Sequence, residues 1–276
     1  MSRAVRAVRR HAVTAVGILV LLYLFVPVAV VVAFSFNDPA GRFNFSWHGF
    51  TLDAWRHPCR VPGMCAAVST SLQVAAITTV VATVLGTLLA FALVRHRFRG
   101  RASTNLLVFL PMATPEVVMG ASLLTLFVDA GVPTGFPTIV IAHVLFTVSF
   151  VVVTVEARLA GFDGCLEEAA MDLYADEWQT FRRITLPLAA PGIVSAALLA
   201  FALSFDDFIV TNFVSGTTVT FPMFVWGAAQ RGVPPEVNVV GAAMFVLALL
   251  CVGAAALARR TRTARQRPPV SRRASR

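Results

Sequence analysis

The stretch Glu167-Glu168-Ala169-Ala170-Met171-Asp172-Leu173-Tyr174-Ala175, closed by Phe181-Arg182-Arg183-Ile184-Thr185-Leu186-Pro187, is a polar interruption between two long apolar blocks. Ala and Met favour helix, and the two adjacent carboxylates fall in a first turn, where they suit the positive end of the helix dipole. Small Ala side chains also let another protein approach closely. The interruption, at about residues 160–188, therefore predicts short helices that dock on a partner. An amphipathic helix lying at the lipid interface is the alternative.

The composition around this interruption is that of a membrane protein. Of 276 residues, 57% are hydrophobic and only 13% are charged, which no ordinary soluble domain matches. A membrane span needs about 20 mostly apolar residues. Six stretches qualify, at about 13–35, 67–94, 105–128, 137–156, 189–213 and 237–258. We therefore predict one transmembrane domain over 13–258, between a basic N-terminal segment (1–12) and an Arg-rich tail (259–276).

The basic residues predict the orientation of these spans. The net charge of +9 comes from Arg alone, because the chain has no Lys. Arg clusters before span one, between spans two and three, between spans four and five, and in the tail, whereas the other connections hold only Arg42, Arg56, Arg60 and Arg231. The positive-inside rule then places both termini and the 160–188 segment in the cytoplasm.

The tail from 259 to 276 has Pro268-Pro269 and little apolar content, so we expect it to be disordered. Contact with anionic lipid and a simple stop-transfer charge cluster are both compatible with its charge. The sequence has no basic patch in which several aromatics are interleaved to form a base-stacking surface, and we expect no nucleic-acid partner.

Ionisable residues within a span are costly and are therefore functional candidates. In a continuous fifth helix, Asp206 and Asp207 would point about 100° apart. Asp207 would then share a polar stripe with Ser204 and Thr211, so we predict that these three line a path and that Asp206 makes a helix–helix or helix-end contact. At about 1.5 Å per residue, Asp207 would lie near the outer leaflet, as an entry site or outer gate.

Glu116 follows two prolines in Leu110-Pro111-Met112-Ala113-Thr114-Pro115-Glu116. This pattern predicts a broken helix that restarts with Thr114 as N-cap and Pro115 at its first position. Glu116 would then lie near mid-membrane and line the path, or only stabilise the dipole of the second half-helix. Carboxylates at two depths, without an intramembrane Arg, favour a small cationic substrate. We expect His143 to be a packed, hydrogen-bonded residue and not a proton relay.

Cys59 and Cys65 are close in sequence and fall in the first external loop, where an oxidising compartment permits a disulfide. The sequence alone does not decide between a disulfide and two thiols.

The 160–188 segment resembles the EAA loop of importers of the ATP-binding cassette (ABC) class, through Glu168-Ala169-Ala170 and Ile184-Thr185-Leu186-Pro187. Tyr174 stands where that family usually has Gly, so we expect the turn between the two short helices to be made differently. Further stretches resemble PotC-type permeases of spermidine/putrescine importers. They are Phe34-Ser35-Phe36-Asn37, Trp47-His48-Gly49-Phe50-Thr51, Arg97-Phe98-Arg99-Gly100, Pro115-Glu116-Val117-Val118-Met119, Phe150-Val151-Val152-Val153-Thr154-Val155, Gly161-Phe162-Asp163, Ser204-Phe205-Asp206-Asp207 and Val233-Pro234-Pro235-Glu236-Val237-Asn238.

The resemblance implies an all-α, polytopic bundle of six transmembrane helices, the type I (MetI-like) importer permease fold, with cytoplasmic coupling helices. It implies a bacterial inner-membrane protein that works with a second, different permease chain, two ATP-binding subunits and an extracytoplasmic substrate-binding protein. The chain itself would bind no cofactor, and ATP would be used by the partner. The residues implied to contact the ATPase are Glu167, Glu168, Ala169, Ala170, Asp172, Tyr174, Ile184, Leu186 and Pro187.

The sequence does not indicate an enzyme. A phosphate-binding Gly-x-x-x-x-Gly-Lys loop is impossible without Lys, and neither His-Glu-x-x-His nor Gly-x-Ser-x-Gly occurs.

One alternative function keeps the importer architecture with another cargo: ferric iron, aminoethylphosphonate, an opine or thiamine. A second is a transporter driven by an ion gradient, with Glu116 and Asp207 as proton carriers, but we find no internal repeat. A third is a non-transporting scaffold, which would leave the intramembrane carboxylates without a role.

Overall fold

A computed structural model describes residues 3–41, 43–96, 98–162 and 164–265. Regular structure in these residues is helical, apart from an isolated antiparallel bridge between Asn37 and Phe50. The predicted all-α class is confirmed. The helices are α1 (Arg3–Phe34), α2 (Asp53–Arg56), α3 (Met64–Arg95), α4 (Arg101–Ala113), α5 (Glu116–Asp129), α6 (Phe136–Leu159), α7 (Cys165–Asp172), α8 (Glu177–Thr180), a π-helical turn (Phe181–Thr185), α9 (Leu186–Asp206), α10 (Ile209–Val214), α11 (Phe221–Arg231) and α12 (Pro235–Arg265).

Within the described residues, four helical segments are long and apolar enough to cross a membrane: Ala12–Phe34, Met64–Arg95, Phe136–Leu159 and Glu177–Asp206. The pair α4 and α5 qualifies as a fifth span if it is counted together, and it is bent by 107°. A shorter apolar stretch, Pro235–Leu250, corresponds to the start of the sixth predicted span. Helix α12 continues from it to Arg265, so residues 259–265 are helical and the expected disorder is wrong there. Arg42, Arg97, Asp163 and the tail from 266 to 276 lie outside the described residues.

The α4–α5 break confirms the broken helix predicted from Pro111 and Pro115, but the cap residues differ. Thr114 is the C-cap of α4, and its hydroxyl donates to the carbonyl of Leu110 at 2.8 Å. Pro115 is the N-cap of α5, which begins at Glu116. The reason is that the residue before a proline is pushed to extended backbone, which Thr114 adopts (ψ 131°), so the second helix restarts one residue later than predicted.

Residues Gly63–Gly227 form one compact unit, in which α3, α6 and α9 pack against one another. Their contact is made by small and branched buried side chains: Ala82, Ala90, Val151, Val152, Val155, Ala196 and Ala200. At Gly86 the backbone of α3 approaches α6 so closely that a Cβ would lie 2.6 Å from Val151 Cγ1. Small residues permit this approach between membrane helices, as is usual in such bundles. A second buried cluster joins α5, α6 and α10 through Leu123, Phe127, Ile139, Val210 and Val214.

The residues up to Pro62, together with those from Ala228, form another compact unit. In it α1 packs on α12, and α12 contacts α2. The loop after α1 is ordered by the buried side chain of Asn37, which donates to Asn44 Oδ1 at 2.6 Å and accepts from the amide of His48 at 2.9 Å. The phenyl ring of Phe36 stacks between Phe50 and Trp55. Cys59 and Cys65 are both disulfide-bonded.

Candidate functional site

The fifth predicted span is broken at the aspartate pair, where a continuous helix over 189–213 was expected. Helix α9 ends at Asp206, Asp207 has extended backbone (φ −65°, ψ 124°), and α10 begins at Ile209. The carboxylate of Asp207 accepts from the amide of Thr211 at 2.8 Å and from its hydroxyl at 2.7 Å. Asp207 therefore satisfies backbone donors at the start of α10, which are otherwise left unpaired within the membrane.

A buried histidine of α6 meets both sides of this break. His143 is 1% exposed; its Nδ1 lies 2.8 Å from Ser204 Oγ and its Nε2 lies 2.9 Å from Thr211 Oγ1. The same Nε2 lies 3.2 Å from Asp207 Oδ2. The prediction that His143 is a packed, hydrogen-bonded residue is confirmed. The predicted stripe of Ser204, Asp207 and Thr211 does come together, but around this imidazole.

The three predicted intramembrane carboxylates meet at one cavity of about 390 Å³. Its lining consists of Glu116, Phe146, Ala202, Leu203, Asp206, Asp207, Phe208 and Ile209. Glu116 is at the first position of α5 and Asp206 at the last position of α9, so two helix ends and the α9–α10 break bring acidic groups to the same space. None of these lining residues is basic. Such a cavity attracts a cation and repels an anion.

The structure corrects the expected orientations of the aspartates. Asp206 is exposed, whereas the side chain of Asp207 is only 6% exposed and is held by Thr211 and His143. The 100° spacing used to separate their faces holds only for a continuous helix, and the break removes it. Ser204 and Thr211 are buried, so the expectation that they line the path is not met at this cavity of the described residues.

The 160–188 segment forms the short helices α7 and α8, which a π-helical turn joins to α9. Glu167 on α7 accepts hydrogen bonds from Arg95, the last residue of α3, and from the buried hydroxyl of Thr185. The Arg95 guanidinium, more than the Thr185 hydroxyl, holds the pKa of the Glu167 carboxyl below its ordinary value. Glu167 is thus turned toward the protein, although the family resemblance implied that it contacts the ATPase.

The opposite side of this segment is exposed, and we call it the docking face. Its large side chains are Leu166, Met171, Leu173, Tyr174 and Trp178, and beside them lie the exposed Glu168, Ala169, Asp172 and Leu186, with Pro187. Ala170 is buried and Ile184 is partly buried. Exposed large apolar side chains beside acidic groups are typical of a surface that contacts a protein or a membrane.

Tyr174 makes the turn between α7 and α8 with φ 62°, the left-handed conformation that Gly adopts easily. It is the one residue other than Gly with positive φ in the part of the chain that the structure describes. The expectation that the turn would be made differently is therefore wrong. The Tyr side chain is 98% exposed, so no packed neighbour adds to the local strain between its Cβ and its own backbone.

Sequence reasoning missed Arg95 and Thr185 as partners of Glu167, and the link from His143 to the aspartates. A local signal existed for one feature only. A short polar residue just before a helix often accepts from the amides of the first turn, and Asp207 lies two residues before the start of α10.

The fold is that of ABC importer permeases. A structure of a bacterial ABC transporter that imports the acidic polysaccharide alginate aligns with a TM-score of 0.62 at 17% identity, over 94% of this chain and 98% of that chain. The MetNI methionine ABC transporter in an inward-facing conformation aligns with a TM-score of 0.56 at 17% identity, over 70% and 92% of the two chains.

The family profile described as "binding-protein-dependent transport system inner membrane component" matches residues 82–263. The spermidine/putrescine transport system permease protein PotC of Haemophilus influenzae is 39% identical over 84% of this chain and 90% of that protein. PotC of Escherichia coli K12 is 38% identical over 87% and 91%, and the putrescine transport system permease protein PotI of the same strain is 39% identical over 84% and 82%. This chain therefore belongs to the family of binding-protein-dependent transport system inner membrane components. It is a multi-pass inner-membrane permease of the ABC class.

Proposed function

We propose that this chain forms half of the translocation path of an ATP-driven importer of polyamines, spermidine or putrescine. The observation that carries the proposal is the cavity lined by Glu116, Asp206 and Asp207 with no basic residue in its lining. A polyamine is a small, elongated polycation, and carboxylates in a space of reduced dielectric bind its ammonium groups strongly. The names of the relatives at 38–39% identity support the same cargo.

The partners follow from the family and from the docking face. The chain would pair with a second, different permease chain, receive substrate from an extracytoplasmic binding protein, and dock two ATP-binding subunits through the 160–188 segment. The apolar docking face supports such a contact because it would otherwise be exposed to water. ATP would be bound and hydrolysed by the partner, so the chain would have no cofactor and no enzymatic activity of its own. The distribution of Arg supports cytoplasmic termini.

The proposal is tested by uptake of radiolabelled spermidine and putrescine into cells that lack this gene, with and without its restoration. We expect uptake at submicromolar substrate to return with the gene and to stop when cytoplasmic ATP is depleted. Uptake that does not return, while the partner subunits are expressed, would rule out polyamines and direct the search to another small solute.

Two variants on the same helix test the role of the cavity. Glu116→Gln should lower uptake about tenfold, the loss expected for one charge-assisted hydrogen bond. Asp129→Asn is the matched control, because Asp129 is an exposed carboxylate at the other end of α5 and does not line the cavity. Equal uptake by the two variants would refute a role for the cavity carboxylates.

A further inference from the structure

His143 connects three residues that come after it in the sequence by 61 to 68 positions and that lie on both sides of the α9–α10 break. Ser204 belongs to α9, Thr211 belongs to α10, and Asp207 lies in the break between them. One imidazole makes all three contacts. It is only 1% exposed, so water cannot replace them. The break is therefore fastened to α6 at one point.

The carboxylate of Asp207 is already used within the protein. Its Oδ2 accepts from both the amide and the hydroxyl of Thr211 and faces His143 Nε2 at 3.2 Å. Its Oδ1 has a longer contact, 3.4 Å, from the amide of Val210. The Oδ2 atom therefore has no capacity left for a cargo cation, and only Oδ1 keeps some. Asp206 is the neighbour in sequence, is exposed, and lines the same cavity.

We propose that His143 is a positioning residue that holds Asp207 at the α9–α10 break and so directs the Asp206 carboxylate into the cavity. Asp206, with Glu116 across the space, then contacts the cationic group of the cargo, and Asp207 does not. The assignment of a cationic cargo rests on the proposed function, but the direction of Asp206 does not.

The physical basis is the cost of leaving buried polar groups unpaired. Ser204 and Thr211 are 3% and 0% exposed, so water does not replace the imidazole when it is removed. The hydroxyl of Ser204 then loses its contact with Nδ1, whereas that of Thr211 keeps the carboxylate of Asp207. Within the membrane the freed groups find partners by shifting the irregular backbone, and the nearest movable backbone is the break itself. A shift there rotates Asp206, the last residue of α9.

Two conservative variants separate positioning from simple packing. The amide nitrogen of Gln lies near the place of imidazole Nε2, and that of Asn near the place of Nδ1. His143→Gln therefore keeps a donor toward Asp207 and Thr211, whereas His143→Asn keeps only the side that faces Ser204. If His143 only fills space, the two variants should have similar effects.

The direction of residue 206 is measured without any cargo. In full transport complexes carrying Asp206→Cys, and Cys165→Ser to remove the exposed native thiol, the rate of labelling by a cationic methanethiosulfonate reports access from the cavity. We subtract labelling of the same protein without Asp206→Cys. We expect His143→Asn to slow labelling about tenfold and His143→Gln to change it little. Equal rates in both variants and in the parent would overturn the proposal.

Transport kinetics supply the second test. We expect Asp206→Asn to raise the KM for spermidine with little change in the maximal rate, and His143→Asn to resemble Asp207→Asn. The double variant H143N/D207N should be no worse than D207N, because both remove the same contact. Additive losses in that double variant would overturn the proposal. If the unmodified complex transports no spermidine, the proposed function fails, and the labelling experiment still decides the role of His143.

Discussion

Replacement of Glu167 by Ala should loosen the short helices that carry the docking face, and the structure gives the size of the effect. The change removes an ion pair with Arg95, whose side chain is 37% exposed, and an acceptor for the hydroxyl of Thr185, which is 1% exposed. The partly exposed pair contributes about 0.5–1 kcal/mol. A buried hydroxyl left without its partner costs about 1–3 kcal/mol. We therefore expect a loss of roughly 2 kcal/mol in the free energy of unfolding.

The assay is thermal unfolding of the purified complex, in which roughly 2 kcal/mol corresponds to about 4–8 °C in Tm for a chain of this size. Glu168→Ala is the matched control, because Glu168 is the adjacent carboxylate and is exposed. It should stay within about 0.5 kcal/mol of the unmodified protein. Equal Tm values for the two variants would refute the argument that Glu167 is turned inward. The charge exchange R95E/E167R should recover more stability than either single reversal.

The same carboxylate predicts a pH dependence with a definite sign. Arg95, and to a smaller extent Thr185, lower the pKa of Glu167 in the folded protein. The contribution of Glu167 to the free energy of unfolding is therefore complete above the ordinary carboxyl pKa. The contribution is lost as the pH falls through the lowered value. Glu167→Gln should therefore be less stable than the unmodified protein at neutral pH, and the difference should shrink on acidification. A difference that stays constant from neutral to acidic pH would contradict the assigned cause.

Three further variants test other local features. Tyr174→Gly should be about 1 kcal/mol more stable than Tyr174→Ala in thermal unfolding, since only Gly adopts the φ of 62° without strain; the opposite order would contradict the left-handed turn. Gly86→Ala should lower the free energy of unfolding by about 1–3 kcal/mol and reduce the yield of folded protein, because its Cβ would lie 2.6 Å from Val151 Cγ1. Adding Val151→Ala to the same chain should restore part of the yield. Asp176→Ala should cost about 1 kcal/mol in the same assay, since Asp176 caps α8 by accepting from the amide of Gln179 at 2.6 Å, and Asp176→Asn should cost less; equal losses would contradict the cap.

The helical class, the positions of the apolar segments and the broken α4–α5 pair were predictable because each depends on local signals. Hydropathy over about 20 residues identifies a span, and a proline restricts the residue before it. The α9–α10 break has no proline. It depends on Asp207 accepting from Thr211 and on a histidine more than sixty positions earlier, so a reading that treats 189–213 as one apolar run does not find it.

The orientation of neighbouring acidic residues was beyond sequence reasoning for a related reason. Glu167 and Glu168 are identical in type and adjacent, as are Asp206 and Asp207. Which of each pair faces the protein is decided by distant partners: Arg95 for the first pair, and His143 for the second. Composition and periodicity cannot predict either contact, because each contact joins residues more than sixty positions apart in the sequence.

Helix α9 joins the two sites that these acidic pairs define. It begins at Leu186, directly after Thr185, the residue that binds Glu167 of the docking segment, and it ends at Asp206 in the cavity. Its 21 residues span about 30 Å, which is the thickness of the hydrocarbon core. Much of one side of α9 is packed on α3 and α6, so its two ends do not move independently of each other. We therefore expect a displacement of α7 that Thr185 follows to act on the same helix that presents Asp206, and we expect the break at Asp207 to absorb it.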